Sequence, residues 1–274
     1  MLAPEPTPVG KHDHETNEEH SKGDEAGASG ESDDQRCLDE DDDVPSTFES
    51  AASQTRRLWL LAGGAALAYG VSLRDAPYPD QAAAKVLMCA LLFLACARHE
   101  PMSERLRLMA ALAASGVGDA LLALPQLGFS FVGGLGAFLV AHLAYCALLA
   151  PRAFSAAADR GPRRGQPSWR QAAVALLCAA TAAMYFAFLP HLGALAAPVA
   201  VYMLALCAMA SLALLARAAS PAIPLGGLAF VASDAMIGID RFLSSFPGSE
   251  YAIWFSYAIA QVSIAAGILL FGDA

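Results

Sequence analysis

Residues 169–216 read WRQAAVALLCAATAAMYFAFLPHLGALAAPVAVYMLALCAMASLALLA, and no acidic residue interrupts them. Two apolar runs, 169–189 and 193–216, flank the short Pro190-His191-Leu192 break. At a rise of about 1.5 Å per residue, each is long enough to cross about 30 Å of hydrocarbon as a helix. In lipid the backbone has to satisfy its own hydrogen bonds, so only helices and closed barrels span. Runs this long, continuous and rich in Ala and Leu read as helices. A water-soluble bundle would need a polar stripe along each helix, and these runs have none.

The same pattern recurs outward from this stretch, at 58–73, 82–97, 106–124, 131–150, 223–239 and 251–271. The expected fold is therefore all-α: a polytopic membrane bundle of about eight transmembrane helices. The chain is 56% hydrophobic, above the roughly 45–50% of soluble domains. Arginine is unevenly distributed between the loops. One side carries Arg56, Arg57, Arg98, Arg105, Arg107, Arg152, Arg160, Arg163, Arg164, Arg170 and Arg217; the other carries Arg74 and Arg241. By the positive-inside rule both termini are expected in the cytosol.

Residues 1–55 are a different material. The first fifty hold 16 of the 26 acids and 3 of the 17 bases, with few aromatic or β-branched residues. Such a segment cannot bury enough apolar area to offset chain entropy, and a disordered acidic cytosolic tail is expected. It has no apolar core following a basic start, so it does not read as a cleaved secretory signal. His12, His14 and His20 lie among acids and read as part of that polar tail. The membrane domain is expected over 56–274. Cys89, Cys96, Cys146, Cys178 and Cys207 fall in the apolar runs without a Cys-x-x-Cys spacing, and read as small buried hydrophobes. An internal membrane, such as the endoplasmic reticulum, fits a cytosolic tail without a signal.

Ionisable residues inside the runs are few: Lys85, Asp119, His142, Asp234 and, near a helix end, Asp240. A charged side chain at the bilayer centre costs about 2.5–3.5 kcal/mol on insertion scales, so such groups persist where they pair or line a wet cavity. Lys85 is the one cation after Lys22 that is not arginine, and an ammonium has a tunable charge where a guanidinium does not. Lys85, Asp119 and Asp234 fall at similar depth on three helices. One polar chamber holding two carboxylates and an ammonium is expected. Ser115 lies one turn before Asp119, and Ser233 precedes Asp234. Helical stripes add Gly134, Phe138, His142 and Tyr145 on one helix, Pro198, Tyr202 and Met209 on another, and Trp254, Tyr257 and Gln261 on the last. Small and polar residues at such spacing also serve as packing contacts and interhelical glue.

Gly116-Val-Gly-Asp119 matches the Gly-x-Gly-Asp signature of presenilin-type intramembrane proteases. In that family the other aspartate follows a tyrosine on an earlier helix, and a Pro-Ala-Leu motif comes later. In this chain Asp234 comes later and follows Ser233, and no Pro-Ala-Leu occurs. A longer pattern runs through the whole membrane portion. It comprises Lys85, Ser115-x-x-Gly118-Asp119, Phe131-x-x-Gly134-x-x-x-Phe138-x-x-x-His142-x-x-Tyr145, Pro198-x-x-x-Tyr202, Phe230-x-x-Ser233-Asp234 with Arg241-Phe242, and Tyr257-x-x-x-Gln261. In order and spacing, across roughly 58–271, this resembles the YhhN family, whose characterised members are lysoplasmalogenases. The acidic tail and Arg241, where lysine is common, depart from the family pattern.

The resemblance implies a membrane hydrolase that cleaves the sn-1 vinyl ether of a lysophospholipid, without metal or cofactor and without a nucleic-acid partner. Besides its substrate, its partners would be membrane lipids. An enol ether is cleaved by protonation at its β-carbon, which demands a general acid and an anion to steady the resulting cation. Two carboxylates in different surroundings supply both. Asp119 and Asp234 are the expected pair. Lys85 would hold one of them ionised or bind the lipid phosphate, with Arg241 a second phosphate candidate. Ser115, His142, Tyr145, Tyr202, Ser233, Tyr257 and Gln261 are the expected supporting residues. Two other readings fit the same chamber: a proton-coupled or small-solute transporter, and a non-catalytic lipid-binding protein.

Overall fold

A computed structural model describes residues 47–158, 169–216 and 220–272. The acidic tail up to residue 46, Arg160, Arg163, Arg164 and Arg217 lie outside the described residues. Among those described there is no strand. Eight α-helices follow one another: α1 Thr47–Ser72, α2 Gln81–Ala95, α3 Met102–Leu122, α4 Ser130–Ala158, α5 Trp169–Leu192, α6 Ala196–Leu215, α7 Ala222–Phe242 and α8 Ser249–Leu269. This is the all-helical fold expected from the apolar runs. Five stretches are long and apolar enough to cross a membrane, namely Gln81–Arg98, Ser130–Ser155, Trp169–Leu215, Ala222–Phe242 and Ser249–Leu269, and the third contains both α5 and α6.

Two helices overrun their apolar runs. α1 begins at Thr47, well before residue 58, because its leading Ala, Gln, Glu and Arg residues are good helix formers even where they are polar. α4 continues through Pro151, where loss of a backbone donor would be expected to end it. The added turn is anchored by Arg152, whose Nη2 and Nε donate to Glu104 Oε2 and Oε1 at 2.8 and 3.3 Å.

The helices close a ring. α1 packs on α2, α2 on α3, α3 on α4, α4 on α6, α6 on α7, α7 on α8, and α8 back on α1. α5 stands outside this ring, against α6 and α7. Two indoles lock the closure: Trp59 Nε1 donates to Val262 O at 3.0 Å and Trp254 Nε1 to Ala66 O at 2.8 Å. Close helix approach depends on small residues. A Cβ on Gly118 would lie 2.7 Å from the Phe138 ring, so glycine is what lets α4 lay Phe138 against the turn of α3 that carries Asp119.

Polarity runs from inside to outside in the sense of a membrane protein. Leu67, Leu176, Phe186 and Leu204 are each more than 60% exposed. Ser115, Asp119, His142, Ser233 and Gln261 are buried. Such an apolar exterior is unfavourable in water and is matched by lipid tails. The protein is an integral membrane helix bundle.

Candidate active site

Inside the ring lies a cavity of about 1130 Å³, bounded at one end by the segments joining α1 to α2 and α3 to α4 and by the start of α8. Lys85 on α2, Asp119 on α3, Ser233 and Asp234 on α7, and Tyr257 on α8 all line it. Two carboxylates more than a hundred residues apart in sequence thus share one chamber with an ammonium. They do so through separate hydrogen-bond networks.

Asp119 is held mainly from α8 and α2. Tyr257 Oη donates to its Oδ2 at 2.7 Å, and Cys89 Sγ lies 3.6 Å from the same oxygen. Cys89 Sγ is also 3.2 Å from Tyr257 Oη. Behind them Tyr145 donates to Gln261 Oε1, while Gln261 Nε2 donates to Tyr257 Oη at 3.2 Å. Three helices besides its own therefore fix the orientation of one carboxylate. Lys85 Nζ sits 4.0 Å from Asp119 Oδ1, with the lysine side chain 19% accessible and the aspartate 1%. The carboxylate is enclosed, and the ammonium reaches into the cavity.

Asp234 is held from α6 and α4. Tyr202 Oη donates to its Oδ2 at 2.6 Å, and His142 Nε2 lies 3.2 Å from that oxygen and 3.1 Å from Tyr202 Oη. A bond from His142 to a carboxylate places the ring proton on Nε2. Nδ1, on the other side of the ring, is buried without a hydrogen-bond partner among the described residues. Ser115 Oγ, one turn before Asp119, is likewise buried and unpartnered among the described residues. Phe230 and Phe138 stand between the two networks. Phe230 contacts His142 at a ring-centroid distance of 4.8 Å, while Phe138 and Phe230 each lie 5.6 Å from Tyr257.

The remaining sequence candidates fall in different places. Ser233 Oγ donates to Ile253 O at 3.1 Å and ties α7 to α8 at the cavity wall. Arg241 does not line the cavity; its guanidinium lies over the Phe131 ring at 4.8 Å. Cys89 is more than the small packing residue its sequence context suggested, since its thiol touches both Asp119 and Tyr257. The available signal was its position one helical turn after Lys85, on the same face. Tyr69, Asp80, Gln81 and Glu250 also line the chamber, and loop-proximal polar residues of this kind carry no periodic signal. Among the described residues, no three His, Cys, Asp or Glu side chains converge in a metal-ligating arrangement.

Comparison with known proteins agrees with this architecture. The model of the YhhN family matches residues 81–268. A lysoplasmalogenase of Mycobacterium bovis (strain ATCC BAA-935 / AF2122/97) is 43% identical over 223 residues, covering 76% of this chain and 82% of the relative. A lysoplasmalogenase of Mycobacterium tuberculosis (strain CDC 1551 / Oshkosh) matches with the same identity and coverage. No solved structure matches.

Proposed function

Because the chain belongs to the YhhN family, we propose that it is a lysoplasmalogen hydrolase, cleaving the sn-1 vinyl ether to a fatty aldehyde and glycerophosphoethanolamine or glycerophosphocholine. The observation that carries the mechanism is the shared chamber: Asp119 and Asp234 line one cavity together with Lys85. A phosphate-bearing lysolipid meets there an ammonium for its head and two carboxyls for its ether bond.

The chemistry follows from the bond. One carboxyl delivers its proton to the β-carbon of the enol ether, and the π electrons leave an oxocarbenium ion at the carbon bearing oxygen. The second carboxylate steadies that cation. Water adds to it and gives its surplus proton to a carboxylate, forming a hemiacetal. The carbon–oxygen bond to glycerol then breaks, with a proton passing to the departing oxygen, and the aldehyde is released. One water is consumed, and both carboxyls return to their starting states. General acid–base catalysis of this kind contributes roughly 10²–10⁴ in rate.

In this reading Asp119 and Asp234 form the acid/base pair. Tyr202 and His142 position Asp234; Tyr257, Gln261, Tyr145 and Cys89 position Asp119. Lys85 binds phosphate, Ser115 and Ser233 support the two helices that carry the acids, and Arg241 is an interfacial anchor that meets headgroups at the rim. Residues 1–55 form an acidic cytosolic tail ahead of a membrane domain at 56–274, and the arginine asymmetry supports both termini in the cytosol. The decisive experiment incubates purified protein in detergent with a vinyl-ether lysolipid and, separately, with its sn-1 ester analogue. Aldehyde from the vinyl ether and no fatty acid from the ester is the expected result. Hydrolysis of the ester alone, or of neither, refutes the proposal.

A further inference from the structure

A second cavity adjoins the chamber. It is a slot of about 200 Å³ between α4, α5, α6 and α7, walled by such residues as Leu135, Leu177, Met184, Phe188, Met203 and Val231. Asp234 is the only acid among its lining residues. Leu122, Phe138, Asp234 and Ile237 line the slot and the chamber alike. The two spaces therefore share a wall, and the one carboxylate in that wall is Asp234.

Their chemistry divides sharply. The chamber presents Lys85, Asp80, Gln81 and Glu250 as well as the aspartates. Apart from Thr181, Tyr202 and Asp234, the slot presents hydrocarbon and aromatic surface. A molecule with a charged head and a long alkenyl chain divides along the same line. The slot also accounts for the helix outside the ring: α5 closes it with the Leu177, Met184 and Phe188 side chains. Along α5, from Leu177 to Phe188, it extends about 16 Å at helical rise. Phe131, Phe188 and Phe242 gather at one end, with Phe242 ring centroids 6.0 Å from Phe131 and 5.8 Å from Phe188.

We propose that this slot receives the hydrocarbon chain of the lysolipid while the phosphorylated head occupies the chamber, so that the ether bond lies at the junction beside Asp234. The identity of the substrate rests on the hydrolase reading above; the placement of its chain rests on the continuity of the two cavities. Asp234 then meets the alkenyl carbons. Asp119, next to Lys85, lies toward the head. Chain-length preference is set by the slot, and in particular by Gly238, where a Cβ would come within 2.6 Å of the Phe188 ring.

The test does not require turnover. A saturated 1-O-alkyl lysolipid bearing a diazirine midway along its chain is bound to the purified full-length protein, irradiated, and the adducts mapped by mass spectrometry. Adducts on Met184, Phe188, Met203 or Val231, which line the slot and not the chamber, competed by unlabelled alkyl lysolipid, are expected. Adducts confined to the outer face at Leu176, Phe186 or Leu204, or to the chamber wall, overturn the placement, even if aldehyde release is intact. Conversely, labelled slot residues in a protein that releases no aldehyde leave the placement standing and remove the hydrolase reading. As a second arm, Met203→Trp fills the slot. The ratio of long-chain to short-chain kcat/KM should fall by roughly tenfold or more, the scale of a misfit of a few methylenes. An unchanged ratio together with unchanged labelling overturns the proposal.

Discussion

Replacing Asp234 by Asn separates the chemistry proposed for this site from its packing. The two side chains have nearly the same shape, so no cavity opens between α6 and α7. The native Oδ2 accepts from Tyr202 at 2.6 Å and from His142 at 3.2 Å. An amide retains one oxygen acceptor, so one of these bonds survives and the other is lost or reversed. Interhelical hydrogen bonds of this type average about 0.6 kcal/mol in membrane proteins, with a maximum near 1.7, and that sets the expected loss of stability. The expected loss of rate is much larger. An amide can neither deliver a proton nor balance an oxocarbenium ion, and positioned acid–base groups are worth roughly 10²–10⁴. At about 1.36 kcal/mol per tenfold, that is about 3–5 kcal/mol of barrier. Aldehyde release, coupled to an alcohol dehydrogenase and followed as nicotinamide absorbance, reads kcat and KM in detergent. Size exclusion and thermal unfolding read the fold. The expected variant is folded, has KM within a few fold of the parent, and has kcat reduced at least a hundredfold. A folded Asp234→Asn protein whose kcat stays within threefold of the parent would refute the assignment.

Two further outcomes follow from the same geometry. Lys85→Met keeps the apolar stem and removes the ammonium that faces the chamber; hydrogen bonds to charged groups are worth about 1.5–3 kcal/mol, so KM should rise about tenfold to a hundredfold, and an unchanged KM removes Lys85 from phosphate binding. Glu104, in the first turn of α3 ahead of the apolar run, should govern acid stability: burial pushes its carboxyl up, but hydrogen bonds from Arg152 and His99 outweigh burial and hold it below its usual value of 4.5. Its contribution is therefore complete above that value and is lost as pH falls through the lowered one. Thermal unfolding between pH 6 and pH 3.5 should show the parent losing stability at the acid end and Glu104→Gln following a flatter profile; parallel profiles would show that Glu104 contributes nothing to this loss.

The helical fold was legible because lipid makes length and apolarity diagnostic; of about eight expected spans, the described residues form eight α-helices, and five stretches, covering all but α1 and α3, are long and apolar enough to cross a membrane. Their arrangement was not legible. In water an amphipathic stripe tells which face of a helix packs inward, but here lipid-facing and protein-facing residues are equally apolar. Leu176 on α5 is 72% exposed, while Leu177 next to it is buried, and nothing in their identities separates them. The exclusion of α5 from the ring followed no sequence signal for the same reason. Around the candidate site, the spacing of His142 and Tyr145, of Tyr257 and Gln261, and the isolation of Asp119 and Asp234 were visible as departures from an apolar background. Cys89 was hidden because a thiol belongs to that background. Asp80, Gln81 and Glu250 were hidden because polar residues near loops need no explanation. Arg241 stood out in the sequence as a phosphate candidate at the rim; its guanidinium lies over the Phe131 ring.

The two aspartates of the shared chamber are held by separate networks. Carboxyls that share one proton, as in a dyad, titrate as a unit, so that neither can be tuned alone. In this chain Asp119 is surrounded by a phenol, a thiol and an ammonium, and Asp234 by a phenol and an imidazole. The aromatic rings of Phe138 and Phe230 stand between those partners. Distinct surroundings allow each carboxyl to be tuned by itself, and the mechanism proposed above needs one protonated and one ionised at once. The cost of keeping such groups in hydrocarbon is spread over partners from α2, α4, α6 and α8, which explains why so many helices contribute a single polar side chain to one site. Losing any one partner should therefore weaken the site by a bond, whereas losing either aspartate removes a state that the mechanism proposed above requires.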